Sequence, residues 1–196
     1  MVPRIAAPTI LENRELRREQ LTKAALELAL EGGAEAITVT AVAKRAGLSR
    51  AAIYEYFASS ADLIADLILD EMEFYTARLE SAVDTSAEPF IQIEQWIGAA
   101  LTYIADGRHL LVKSLNAIST PEFRKVEIAM GHKKMMSSIF MPMKQIGFKD
   151  TFAAITYLQS VIDNAANRID AGNEKELEIQ NAIKFASAGL RALAIN

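Results

Sequence analysis

The stretch Thr38-Val-Thr-Ala-Val-Ala-Lys-Arg-Ala-Gly-Leu-Ser-Arg-Ala-Ala-Ile-Tyr-Glu-Tyr-Phe57 decides the reading of this chain. Two helices crossing at a wide angle over a short turn need a small residue at their contact and a turn residue that accepts positive φ. They also need apolar anchors on both inner faces and a cap for the second helix. The stretch supplies these in order: Ala43 for the contact, Gly47 for the turn, Val39, Val42, Leu48 and Ile53 as anchors, and Ser49 as the cap. Arg50, Ala51, Ala52, Tyr54 and Tyr56 then fall near the start or on the outer face of the second helix, where a DNA-reading helix meets base edges and phosphates. A helical hairpin inside an ordinary bundle satisfies the same spacing. Small residues at 51 and 52 favour the DNA-reading alternative, because they let the helix backbone approach a groove. Tyr54 and Tyr56 offer hydroxyls for phosphate, whereas Phe57 suits a core.

Working outward, nearly everything reads as helix. Residues 14–31 carry Leu21, Ala24, Ala25, Leu28 and Ala29 at helical spacing and stop at Gly32-Gly33. Ser59-x-x-Asp62 resembles a capping box and opens a long helix to about Val83. Pro89 fits the first turn of a helix reaching Ala105, and a shorter one follows from about His109 to Ile118. Thr120-Pro121-Glu122 predicts a helix start, with Pro142 bending or ending that helix near Phe140. Asp150 caps a helix to Ala171-Gly172, and Asn173-x-x-Glu176 caps a last one to about Leu193. No segment alternates with period two. The fold expected is all-α, about nine helices, with a flexible segment over 1–13, a helix-turn-helix domain over 14–59, a connecting helix over 60–83 and a larger helical domain over 84–196.

Composition bounds the chemistry. The chain has 196 residues, 51% hydrophobic and 23% charged, with no cysteine, so a disulfide framework, a thiolate zinc site and a Cys nucleophile are all excluded. Nothing reads as a signal peptide or a membrane span, which predicts a soluble protein of a bacterial cytoplasm with no membrane partner. The two histidines, His109 and His132, stand in no ligand spacing, and no nucleotide or hydrolase fingerprint occurs. No enzyme activity, metal or cofactor is therefore expected. The net charge is −4, but residues 1–57 hold 8 Lys+Arg against 7 Asp+Glu while 58–196 hold 13 against 18. The acidity belongs to the larger part. In the first part the cations cluster at Arg14, Arg17 and Arg18, and at Lys44, Arg45 and Arg50, which permits a DNA-facing surface without establishing one.

Gly32-Gly33, Thr38, Val42-Ala43, Ala46-Gly47-Leu48-Ser49, Ile53-Tyr54-x-Tyr56-Phe57 and Leu63 together resemble the N-terminal domain of the TetR family of bacterial transcriptional regulators. The likeness runs from about residue 14 to 70 without gaps. It implies that Thr38 and Thr40 contact phosphate or an adjacent base, that Arg50 and Ala51 reach base edges, and that Tyr54 and Tyr56 hold phosphates. Ser49 joins this DNA-binding set. Ser60 departs from the pattern, since the family usually has a lysine there; the helix N-terminus and the hydroxyls of Ser59 and Ser60 remain for a phosphate. Glu55 either accepts from a cytosine amine or faces solvent.

For residues 84–196 the resemblance implies a ligand-sensing and dimerising domain. The last two helices carry small and apolar residues at helical spacing, among them Ile155, Leu158, Ile162, Ala166, Ile183, Ala186 and Leu190. These are the candidates for a four-helix interface between two subunits, unless the stripe packs only within its own. Trp96, Tyr103, Phe123 and Met130 belong to a set of adaptable apolar side chains that suits either a pocket or an irregular core, with Asn116 and Glu127 as polar residues to orient a ligand. The partners expected are operator DNA, a second copy of the chain and a small apolar or amphipathic effector. A repressor is the reading this supports; the alternative is an activator or a helical interaction module that retains the helix-turn-helix.

Overall fold

The computed structural model describes residues 10–116 and 118–194. Among them the chain forms nine α-helices and no strand. They are α1 (Ile10–Gly32), α2 (Val39–Ala46), α3 (Arg50–Tyr54), α4 (Ser60–Ala82), α5 (Pro89–Ala105), α6 (Arg108–Asn116), α7 (Lys125–Ile146), α8 (Thr151–Asp170) and α9 (Lys175–Ala194). Short 3-10 turns stand at Ala34–Ala36 and Glu122–Arg124. Of the segment expected to be flexible, residues 1–9 lie outside the described residues, and 10–13 are instead the first turn of α1.

The chain divides into two compact units. One takes in the chain through Leu69 together with Lys113–Val126; the other takes in Asp70–Val112 and Glu127–Asn196. The dividing point falls inside α4, so residues 60–69 of the connecting helix group with the helix-turn-helix, and so does a segment from the second half of the sequence.

In the first unit α1 packs on α2 and α2 on α3. Leu21, Ala25, Val42, Ile53, Phe57, Leu63 and Leu67 are all but inaccessible to solvent and form the core. The second unit is built on α5, α8 and α9, which pack on one another. Ile93, Ile97, Leu101, Leu158, Ile162 and Leu190 fill its centre with Ile139 and Met143 from α7.

Three helix boundaries depart from the sequence expectation, each for a local reason. Thr120 makes no cap bond; the chain takes the 3-10 turn Glu122–Arg124 after Pro121 before α7 begins at Lys125. Pro142 does not end α7, which runs one turn further to Ile146 with Pro142 buried inside it. The proline forfeits one helical hydrogen bond, a loss that packing against the core offsets. Asn173 does not cap α9. Its side-chain amide donates to the Arg168 carbonyl at 2.8 Å and so closes α8, while α9 starts at Lys175.

Candidate nucleic-acid interface

The turn between α2 and α3 is built by caps. Thr38 Oγ1 accepts the Ala41 N–H at 3.1 Å and starts α2, and Ser49 Oγ accepts the Ala52 N–H at 3.1 Å and starts α3. Gly47 ends α2 in the left-handed region, φ 68° and ψ 31°. The Leu48 N–H then reaches back to the Ala43 carbonyl at 2.9 Å, and the Gly47 N–H to Lys44 at 3.3 Å, the paired bonds of a Schellman closure. Ala43, Val42 and Ile53 are buried and Val39 and Leu48 partly so. The inner face is thus the one that the spacing predicts.

Burying Ile53 and Phe57 turns the opposite face of α3 outward. Arg50, Ala51, Tyr54 and Glu55 are exposed, as are Thr38, Thr40 and Ser49; Ala52, Tyr56 and Ser60 are half-buried. Arg50 makes no ion pair among the described residues. All eight residues assigned to DNA contact are thus exposed or half-buried, around the α2–α3 turn and up to the start of α4. α4 begins as expected, with the Asp62 N–H donating to Ser59 Oγ at 3.1 Å and Asp62 Oδ2 accepting the Ala58 N–H at 3.0 Å.

The cations do not all face the same task. Arg45 is held by α1: its two terminal nitrogens donate to Glu31 at 2.9 and 2.7 Å and to Glu27 at 3.3 Å. The bond from Arg45 draws the Glu31 carboxyl below its ordinary range, and Glu31 in turn raises Arg45. Arg18 is likewise committed, with Nε donating to Asp66 Oδ2 at 2.6 Å. Burial works against its charge, but Asp66 outweighs that and raises it. Two of the six clustered arginines and lysines thus serve the fold; Arg14, Lys44 and Arg50 remain exposed without an ion pair among the described residues, and Arg17 bonds to Gln20.

In the second unit the stripe of α8 and α9 divides by face. Leu158, Ile162, Ala186 and Leu190 are buried in the unit's own core, with Ile155 and Ile183 packed against it and Ala166 half-buried. What the pattern passed over is the outer face of the same helices. A groove of about 1160 Å³ runs between them, floored by Leu158, Ala186 and Leu190 and walled by Tyr157, Val161, Phe185 and Leu193. Tyr157 and Phe185 are 61% and 72% exposed, and Phe152, further along α8, is 81% exposed. Tyr157 and Phe185 thus leave aromatic surface exposed beside the groove.

None of the six residues assigned to a ligand pocket lines that groove. Trp96 is a core residue whose Nε1 donates to Ser138 Oγ at 2.9 Å. Tyr103 is buried, stacked on Tyr75 at 4.2 Å between ring centres, with its hydroxyl donating to the buried Glu71 at 3.3 Å. Burial pushes the Tyr75 hydroxyl well above its ordinary range. Asn116, Phe123, Glu127 and Met130 are exposed.

Fold and surface together define a helical protein with an N-terminal helix-turn-helix whose outer face is free. More narrowly, residues 21–67 match the family described as bacterial regulatory proteins, tetR family. Over 87 residues the chain is 30% identical to the HTH-type transcriptional repressor KstR of Mycolicibacterium smegmatis, covering 44% of this chain and 43% of that protein. It is 30% identical over 78 residues to the repressor KstR2 of Mycobacterium tuberculosis, covering 40% and 39%. The chain spans less than half the length of the curated relatives it matches. Among solved structures, the fatty acid degradation regulator FadR of Bacillus halodurans superposes with a TM-score of 0.67 at 19% identity, covering 87% of this chain and 98% of that one. The regulator FadR of Bacillus subtilis, solved in complex with stearoyl-CoA, gives 0.64 at 20% identity, covering 90% and 97%. At these identities the likeness is one of fold. No described helix is long and apolar enough to cross a membrane.

Proposed function

We propose that this protein is a cytoplasmic transcriptional regulator, a repressor, that binds a near-palindromic DNA site as a homodimer and releases it when a small amphipathic molecule binds. The observation that carries the reading is the capped turn at Gly47 with Arg50, Ala51 and Tyr54 exposed on α3, inside the segment that matches the tetR family. A short α3 makes few base contacts alone, so two copies reading two half-sites follow from the geometry of DNA. Arg50 is the base reader, through its planar fork on guanine, and Tyr54 and Tyr56 hold phosphates. Thr38, Thr40, Ser49, Ala51 and Ser60 complete the contact surface.

The second copy docks on the outer face of α8 and α9, over Tyr157, Phe185 and Leu193, with the inner stripe as its support. The effector is apolar or amphipathic, in keeping with the apolar interior of the second unit and with the stearoyl-CoA bound by the Bacillus subtilis regulator. Trp96 and Tyr103 are the interior residues of the proposed sensing region. Its binding acts by favouring one spacing of the two recognition helices over another.

Selection from a random duplex library by the full chain tests this. A two-fold symmetric consensus, retained with an affinity that falls as salt is raised, supports the reading. Retention of no sequence above the starting pool refutes it. Release of that duplex by acyl-CoA thioesters of different chain length identifies the effector class, and indifference to all of them removes it.

A further inference from the structure

Lys113–Val126 groups with the first unit although more than forty residues separate it in sequence from α4's first turns. Its 3-10 turn delivers Arg124, buried at 8% exposure, against α4. The Arg124 guanidinium bonds Asp66 Oδ1 through Nη2, and its Nε stands 3.6 Å from Asp62 Oδ1. Asp62 and Asp66 are themselves buried, one helical turn apart on the same face, where two carboxylates repel each other. Arg18 from α1 closes the other side of Asp66 and lies with its guanidinium carbon 5.4 Å from the centre of the Phe57 ring. Asp62 also accepts the Ala58 N–H, the amide just beyond Phe57.

A buried set of this kind adds little stability over apolar side chains of the same size, but its directional bonds fix one arrangement. The bonds named above converge on residues 57–66, the exit from the recognition helix. We propose that Arg124 is a positioning residue for DNA recognition: by holding Asp62 and Asp66 together it fixes the start of α4 and the Phe57–Ala58 turn, and so the seating of α3. The DNA consequence rests on the function proposed above; the positioning itself does not.

The test uses the full chain and three variants, Arg124→Gln, Arg124→Lys and the double variant Arg124→Gln with Asp66→Asn. Amide exchange of the free protein is read at Ala58 and along 60–66, against α8 and α9 as an internal reference. Arg124→Gln is expected to lower protection at Ala58 and 60–66 by about tenfold or more while leaving α8 and α9 unchanged, and Arg124→Lys to restore part of it. Unchanged protection in Arg124→Gln overturns the proposal whether or not the protein binds DNA. With the duplex selected by the wild-type chain, Arg124→Gln should lose about tenfold in affinity for that duplex and less for a scrambled one. The double variant separates positioning from charge neutralisation: it should recover the stability of the first unit, read from exchange at Val42 and Ile53, without recovering duplex preference. Recovery of both shows that Arg124 only neutralises Asp66 and refutes the assignment. If the wild-type chain selects no duplex, the regulatory reading fails by itself, and the exchange at Ala58 alone decides the role of Arg124.

Discussion

Replacing Gly47 by alanine isolates what the turn costs the chain. At φ 68° a residue with a Cβ sits in the left-handed region, at about 1–2 kcal/mol. A Cβ built on Gly47 meets nothing within 4 Å, so no clash adds to that figure. Alanine returns roughly 0.4–1 kcal/mol by narrowing the unfolded ensemble, which leaves a net loss of about 1 kcal/mol. That corresponds to about a fivefold fall in the protection of core amides of the first unit, read by native-state exchange at Val42, Ile53 and Phe57. Exchange is the appropriate assay because two units need not unfold as one, and a single melting temperature mixes them. Gly47→Asn should lose distinctly less, since asparagine tolerates the left-handed region. Gly98 supplies the control. It lies within α5, where a Cβ meets only Ile183 Cδ1 at an ordinary 3.6 Å, and Gly98→Ala should stabilise the second unit by roughly 0.5–1 kcal/mol. Equal protection in Gly47→Ala and wild type, or equal losses for alanine and asparagine, refutes the claim that backbone conformation is what selects glycine at the turn.

Other expectations follow from the same surfaces. Arg50→Ala should flatten the preference between the selected duplex and single-base variants of it, whereas Tyr54→Phe should weaken binding to all duplexes alike; equal discrimination after Arg50→Ala removes Arg50 as a reader. Phe185→Glu on the outer face of α9 should shift light-scattering mass from dimer to monomer with helix content unchanged, and a dimer that survives it lies elsewhere. The Arg45 bond moves the Glu31 ionisation below its unfolded value of 4.5, so its contribution to stability is complete at neutral pH and is lost as pH falls through 4.5 and below. Denaturant unfolding of wild type and Glu31→Gln should accordingly differ at pH 7 and draw together as pH falls below 4.5.

How much of this was legible depended on distance along the chain. The caps at Ser49, Ser59 and Asp150, the turn at Gly47 and the inner face of α2 and α3 involve residues within a few positions of each other, where spacing is geometry. The faces of α8 and α9 were only half legible. Period alone marks Leu158 and Leu190 as one apolar stripe, a candidate for the interface between subunits; they are buried in the unit's own core, while Tyr157 and Phe185 stand outside, because one stripe serves the core and the next is left over. Asn173 offered the same side chain to two helix ends, and only the chain's path decides which end it closes. Arg124 was illegible for a different reason. Its partners are fifty-eight and sixty-two positions away, and an arginine after a Thr-Pro-Glu turn reads as surface until those carboxylates are brought to it.

The engagement of Arg45 with Glu31 and Glu27, and of Arg18 with Asp66, bears on how such a protein finds its target. Cations already paired within the chain release no counterions from DNA, so they add nothing to the general stickiness that holds a protein on unrelated sequence. The acidic remainder of the molecule weakens that hold further. For the regulator proposed above, the expected hold on unrelated sequence is weak, and discrimination rests on the few contacts that recognise the right site.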